Sequence, residues 1–173
     1  FIGFICFCLV ASSVYLSNDL LDLESDRLHS TKKTRPLAAG TLPIQTAMVA
    51  AIVLLLAAFA LAHLQTREFG IIILGYGMLA VLYSVLLKRL FLLDLVTLAS
   101  LYSLRIEAGA QAAQVIASFW LLGFTMTLFF GLAALKRVVE LSKSTHAAAL
   151  PGRAYTRGDL TALTAQGMFA CAC

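Results

Sequence analysis

The chain has 173 residues, of which 61% are apolar and 13% charged, and its formal net charge is +4. Soluble domains of this size are nearer half apolar and a quarter charged, so an ordinary water-soluble globule is excluded. The small basic surplus comes with no low-complexity tract, and no nucleic-acid partner is expected.

In chain order, Phe1 to Leu16 is apolar, with no initiator Met, basic leader or small-residue cleavage site, and is not read as a signal peptide. Polar residues then crowd Asn18 to Pro36. Leu42 to Leu64, Phe69 to Leu87 and Ile116 to Leu135 contain no Asp, Glu, Lys or Arg. Runs of about 20 such residues, rising ~1.5 Å each, cross a hydrocarbon core of ~30 Å. Leu92 to Ala113 has the same length but carries Asp94, Arg105 and Glu107, and Leu160 to Cys173 is a last apolar run. The pattern predicts an all-α fold, a polytopic transmembrane helical bundle of six spans, I to VI, in one domain over residues 1–173. Spans I and VI read as truncated at the chain ends, so further helices are expected beyond both.

The basic residues set the orientation. All Lys and Arg except Arg67 and Arg105 fall in loops I/II, III/IV and V/VI, the last including Arg153 and Arg157. By the positive-inside rule these loops are cytoplasmic in an integral, multi-pass membrane protein. Cys6 and Cys8, like Cys171 and Cys173, are two apart on helices and point about 200° away from each other, so neither pair converges on a metal. His29, His63 and His146 read as solvated or interfacial, and Gly70, Gly75, Gly77, Gly123 and Gly131 as positions of close helix packing.

Loop I/II reads Asn18-Asp19-x-x-Asp22-x-Glu24-x-Asp26-Arg27, then Lys32-Lys33-Thr-Arg35-Pro36-Leu37. If span I continues as helix, Asn18, Asp22 and Asp26 form one stripe on successive turns, ~5–6 Å apart. Like charges at that spacing repel, and a divalent cation removes the repulsion. Carboxylate and amide oxygens suit Mg²⁺, which keeps waters and is completed by phosphate oxygens. The cations Lys32 and Arg35 that follow suit a phosphate. Asp19 lies off the stripe, where an Arg or backbone partner is expected.

This run, N-D-x-x-D-x-x-x-D followed by K-x-x-R-P-L, resembles the first motif of the UbiA superfamily of intramembrane prenyltransferases. The resemblance implies about nine membrane helices around a cavity, with a prenyl diphosphate held through Mg²⁺ on this motif and on a second polar motif. Asn18, Asp22 and Asp26 would be the metal ligands, and Asp22, Asp26, Lys88 and Asp94 the catalytic set.

The second motif departs from the pattern. Where most aromatic prenyltransferases of the superfamily carry a second Asp-rich motif, loop V/VI has Lys136-Arg137-Val-Val-Glu140-Leu141, then Gly152-Arg153-x-Tyr155-x-x-Gly158-Asp159. A cationic pair stands in place of carboxylates. Tyr83, Lys88 and Asp94 at the III/IV junction, Leu104-Arg105-x-x-Ala108-Gly109, and Lys136-Arg137-x-x-Glu140 look most like the branch that transfers phosphoribose to decaprenyl phosphate. Lys32, Arg35, Tyr83, Arg105, Lys136, Arg137 and Glu140 are then the expected substrate-binding residues. Asp94 and Arg105 share a face of span IV and would line the cavity mouth; ionisable residues in a span usually pair or face a cavity. The plain alternatives are an Asp94 and Arg105 that bond neighbouring helices, and a Glu140 that pairs with Lys136 at i, i+4.

The implied partners are membrane lipid, a polyprenyl phosphate or prenyl diphosphate, and a phosphorylated sugar or an aromatic co-substrate. A transporter is the reading from another class, but the acids cluster at one membrane face and spans II and V are unbroken by Pro, unlike midplane sites on broken helices. A purely structural subunit would leave the acid stripe unexplained.

Overall fold

The computed structural model describes residues 1–28, 31–143 and 155–172. Seven helices account for most of them: α1 (Ile2–Leu21), α2 (Leu23–Leu28), α3 (Ile44–Ala62), α4 (Arg67–Val85), α5 (Leu93–Ala112), α6 (Phe119–Lys143) and α7 (Leu160–Ala172). Single 3-10 turns cover Lys32–Thr34, Leu87–Arg89 and Arg157–Asp159. No strand occurs among the described residues. His29, His146, Gly152, Arg153 and Cys173 lie outside the described residues.

Helices α1, α3, α4 and α6 are long and apolar enough to cross a membrane. Helix α5 has the length, 20 residues, but Asp94, Arg105 and Glu107 lower its hydropathy. Helix α7 has only 13 residues. The six spans expected from the sequence thus all appear as helices, four of them with a membrane-spanning composition.

Chain contacts divide the protein into two compact units. The first comprises residues 1–84 and 111–113, the second residues 85–110 and 114–173.

In the first unit, α1 buries Gly3, Cys6, Val10 and Ser13, a single stripe at helical spacing. Facing it, α3 buries Ala47, Ala51, Ala58 and Ala62. These small side chains let the two backbones come close, the way membrane helices pack when no hydrophobic force distinguishes partner from lipid. The Ser13 hydroxyl donates to the Ala51 carbonyl at 2.7 Å across that seam. Gly3 is required by closeness: a Cβ built there would lie 2.5 Å from the Ala112 Cβ. The Phe7 ring meets the Tyr76 ring at 4.7 Å between centroids, and Val10 lies against Gly77, so α4 joins the same core. Helix α4 begins at a Thr66 cap, whose hydroxyl accepts the Phe69 N–H at 3.2 Å. Cys6 is buried, Cys8 is exposed, and both are free thiols.

In the second unit, the core is Leu95, Ala133, Ala134, Leu141, Tyr155 and Leu163. Gly167 of α7 lets that helix sit against Ala134 of α6, where an added Cβ would be 3.4 Å from the Ala134 Cβ. Leu92 enters α5 with φ +62°, in the left-handed region. A branched side chain there costs roughly 1–2 kcal/mol, and its packing against the core cluster offsets this. The strained residue lies two positions before Asp94.

Candidate active site

The Asp-rich segment sits at the C-terminal end of α1, where the helix neither runs straight on nor stops. Asp22 leaves helical geometry with φ −97° and ψ 8°, and α2 resumes at Leu23. The hydrogen bonding continues across this joint: the Asp22 N–H donates to Asn18 O at 2.9 Å and the Asp26 N–H to Asp22 O at 2.8 Å. Asn18, Asp22 and Asp26 are therefore each linked to the next through i, i+4 backbone bonds, one turn apart as the sequence predicts.

Their environments differ. Asp26 is buried at 2% exposure, while Asn18 and Asp22 are half-buried. The Asn18 side-chain oxygen is enclosed yet has no hydrogen-bond partner. An enclosed carbonyl oxygen without a donor costs about 1–3 kcal/mol. Among the described residues no three His, Cys, Asp or Glu side chains group as a metal cage.

The basic end of the segment folds back onto the acids. One nitrogen of Arg35, Nη1, donates to Asp19 Oδ1 at 2.8 Å and to Asp26 Oδ2 at 2.7 Å. Lys32 Nζ lies 3.7 Å from Asp26 Oδ1. This fulfils the expectation of an Arg partner for Asp19. The following Pro36-Leu37 anchors the loop: Leu37 is buried at 3% exposure, and both the Leu42 N–H and the Thr41 hydroxyl donate to Pro36 O at 3.0 Å. Gly40, at φ +78°, supplies the left-handed residue that turn needs. Lys32 and Arg35 remain partly exposed on their outer sides, with side-chain exposures of 46% and 42%.

The second unit holds the other polar cluster, and here the geometry departs from expectation. Asp94 is fully buried and Arg137 is 1% exposed. Arg137 Nε donates to Asp94 Oδ2 at 2.6 Å and Nη2 to Asp94 Oδ1 at 3.1 Å. The third guanidinium nitrogen, Nη1, donates to Glu140 Oε2 at 2.7 Å. Arg137 was expected to bind substrate phosphate and Asp94 to face the substrate cavity. In the structure both carboxylate oxygens of Asp94 and all three guanidinium nitrogens of Arg137 take protein partners. Glu140 takes Arg137 at i, i+3 rather than Lys136 at i, i+4. Lys136 is exposed and makes no ion pair among the described residues.

Tyr155 completes this cluster and was not singled out as a site residue from sequence. Its ring is buried and packs on Phe91 at 5.3 Å between centroids. Burial first, and the Asp94 charge second, push its phenol pKa well above the usual value, with Arg137 partly opposing. The phenol therefore stays protonated at neutral pH. A signal did exist for the cluster, since an ionisable residue inside a span demands a partner, and Arg137 is such a partner 43 residues away. Of the remaining expected residues, Tyr83 is half-buried near the end of α4 and Lys88 half-buried in the turn Leu87–Arg89. Arg105 lies over the Tyr102 ring, 4.9 Å from its centroid, and Tyr102 in turn stacks on Phe129 at 4.6 Å. That cation–π contact takes Arg105 into α5–α6 packing.

Helices of membrane-spanning length and composition, with a carboxylate–amide stripe joined to Lys and Arg at one helix end, define a class of helical membrane protein. The comparisons narrow that class: the chain belongs to the UbiA prenyltransferase family, whose profile matches residues 1–173. It is 37% identical over 143 residues to decaprenyl-phosphate phosphoribosyltransferase of Mycolicibacterium smegmatis, covering 81% of this chain and 44% of that protein. It is 36% identical over 161 residues to nodulation protein NoeC of Azorhizobium caulinodans, covering 91% of this chain and 52% of that protein. With an uncharacterized protein, y4nM, of Sinorhizobium fredii it shares 37% identity over 159 residues, 91% of this chain and 31% of the other. The chain thus spans about a third to a half of these curated relatives. In fold it is similar to a UbiA homologue from Archaeoglobus fulgidus bound to DMAPP and Mg²⁺, with a TM-score of 0.80 at 19% identity, over 99% of this chain and 64% of that one.

Proposed function

We propose that this chain carries the diphosphate-handling part of a transferase that moves phosphoribose from phosphoribosyl diphosphate to a polyprenyl phosphate. The observation that carries the proposal is the Asn18–Asp22–Asp26 ladder with Lys32 and Arg35 folded against it. Two features support the phosphoribosyl reading over other chemistry of the family. The relatives at 35–37% identity include proteins named decaprenyl-phosphate phosphoribosyltransferase, and an exposed Lys136 stands where a second acidic motif is the more usual arrangement.

The donor set fits Mg²⁺. Asn18 offers an enclosed amide oxygen with no other partner, and Asp22 and Asp26 offer carboxylates at the joint and one turn beyond it. Magnesium is usually held by one or two carboxylates, with waters and substrate phosphates completing the octahedron, so the absence of a three-acid cage among the described residues is no obstacle. Asn18, Asp22 and Asp26 would hold the ion, and bound there it would neutralise diphosphate oxygens and favour the departure of pyrophosphate.

The side chains do the rest. Arg35 holds the Asp26 carboxylate in place by a charge-assisted bond. Lys32, beside the ladder, would stabilise charge growing on the leaving group, and Lys88 and Lys136 are further cations proposed for substrate phosphate. In a site poor in water, electrostatic stabilisation of this kind often accounts for more of the rate enhancement than any other effect. In the reaction, an oxygen of the lipid phosphate attacks C1 of the ribose as the C1–O bond to the diphosphate breaks. Asp94 and Arg137 serve this reading indirectly, by joining α5 to α6 and fixing the helix end from which Lys136 projects.

The second reading is prenyl transfer from a prenyl diphosphate to an aromatic acceptor, favoured by the DMAPP bound in the similar fold from Archaeoglobus fulgidus. One assay separates them. The full-length membrane protein is offered phosphoribosyl diphosphate with polyprenyl phosphate, and in parallel prenyl diphosphate with 4-hydroxybenzoate, each with Mg²⁺. Product only in the first mixture is the expected result. Prenylated 4-hydroxybenzoate without phosphoribosyl lipid would replace this reading with the second.

A further inference from the structure

At the other end of α1 from the acids, the first unit has a groove of about 370 Å³ between the C-terminal end of α3 and the first half of α4. Phe59, His63, Thr66, Arg67, Ile71 and Leu74 are among its walls. Polarity is graded along it. His63, Thr66 and Arg67 stand at the connection between the helices, whereas Phe59, Ile71 and Leu74 lie deeper along them. From Arg67 to Leu74 is seven residues of helix, ~10 Å at 1.5 Å per residue. The headgroup layer is only ~5–7 Å thick per leaflet, so that depth spans the polar layer and reaches the acyl chains.

The flanking surface is apolar in the same sense. Ile71, Leu74, Met78, Val81 and Val85 leave a continuous exposed stripe on α4, the composition expected of a face that meets hydrocarbon. Arg67 is exposed and has no ion pair among the described residues. Of the Lys and Arg at the α3–α4 connection it is the sole member. A guanidinium at the mouth of a greasy groove is complementary to a phosphodiester, to which it can offer two parallel donors. His63 and the Thr66 hydroxyl add donors beside it. Glu68 is also exposed but outside the groove wall.

We infer that this groove is a binding site for one anionic phospholipid, with its phosphate on Arg67, His63 and Thr66 and an acyl chain along Phe59, Ile71 and Leu74. The site is separate from the acidic ladder: Gly3, at the groove end of the unit, and Asn18 are fifteen residue steps apart on α1, ~22 Å along the helix. It does not depend on which reaction the ladder performs.

The test uses the full-length protein purified in mild detergent, with dioleoylphosphatidylglycerol and dioleoylphosphatidylcholine as the probes. Native mass spectrometry counts retained lipid, and thermal unfolding is followed as each lipid is titrated. Wild type is expected to retain phosphatidylglycerol in preference to phosphatidylcholine. Arg67→Gln, at an exposed position where folding is not at stake, is expected to weaken phosphatidylglycerol about tenfold or more, as the loss of one charge-assisted bond predicts. Ile71→Trp fills the groove without touching charge and is expected to expel the tightly held lipid. Equal retention of the two lipids, an unchanged Arg67→Gln, or stabilisation reproduced by inorganic phosphate alone would each overturn the assignment. So would a wild type that holds no lipid, since a further helix of the protein would then occupy the groove.

Discussion

Removing either partner of the Asp94–Arg137 pair should damage the protein far more than removing both. The two groups are 0% and 1% exposed and are joined by bonds of 2.6 and 3.1 Å, so each neutralises the other out of water. Arg137→Met removes the guanidinium bonded to both Asp94 oxygens, and breaking a buried pair in this way costs about 3–5 kcal/mol, against a total stability of roughly 5–15 kcal/mol for a domain. Asp94→Leu should fall at the lower end of that range, because the guanidinium keeps its 2.7 Å bond to Glu140. The double replacement Asp94→Leu with Arg137→Met removes both charges and keeps apolar volume, and should recover most of the loss. Because each single costs about 3 kcal/mol or more and the double recovers most of it, the coupling between the two sites is expected to exceed about 3 kcal/mol, beyond the usual range for residues in direct contact. Glu140 has one face in solvent, and Glu140→Gln should cost at most about 1 kcal/mol. The measurement is reversible unfolding of the full-length protein in mixed micelles, for wild type, both single variants and the double. A double variant as unstable as the sum of the singles, or an Arg137→Met within about 1 kcal/mol of wild type, would refute the argument that the pair acts as a unit.

Other perturbations test the site itself. Asp22→Asn and Asp26→Asn should each remove most Mg²⁺-dependent turnover while membrane insertion persists. Near-normal turnover in both, measured on purified protein, would defeat the metal assignment. Lys136→Met should raise KM for phosphoribosyl diphosphate about tenfold or more, the effect of one lost charge-assisted contact to phosphate; an unchanged constant for both substrates would remove Lys136 from the site. The Asp159 carboxylate accepts the Thr156 N–H and hydroxyl, both at 2.8 Å, and these bonds hold its pKa below the usual carboxylate value. A carboxylate depressed in the folded state lends stability above its unfolded pKa of ~3.9 and loses it as pH falls through the lower folded value. Asp159→Asn should accordingly flatten the acid limb of the unfolding curve below about pH 4, as followed by intrinsic fluorescence.

Much of the architecture could be read from charge alone. The uncharged runs located α3, α4 and α6 because a bilayer punishes any ionisable group that lacks a partner. The acid ladder was equally visible, since Asn18, Asp22 and Asp26 repeat with the helical period. The joint at Asp22 was not visible: nothing in Leu-Leu-Asp-Leu-Glu distinguishes a small backbone kink from straight helix, and the hydrogen bonding survives it. The pairing of Arg137 was missed for a different reason. Local spacing allows Glu140 to take either Lys136 or Arg137, and the choice falls to Asp94 on another helix, which draws the guanidinium inward and turns Lys136 out. Asp94 and Arg137 are 43 residues apart, beyond the reach of any periodicity. Arg105, read as a substrate ligand, lies over an aromatic side chain three residues earlier on α5, a contact that local spacing did permit.

The bridge from Arg35 to Asp19 and Asp26 has a consequence for how tightly this end of the protein can hold an anion. Only Nη1 of Arg35 is committed to the two carboxylates, so a phosphate can add to the other guanidinium nitrogens without displacing them, but it meets a cation whose charge is already shared with Asp19 and Asp26. Such a site discriminates by geometry and by the total charge delivered, more than by attraction to any single anionic group. It also lets the spent anion go readily, because the two carboxylates keep much of the guanidinium charge neutralised throughout.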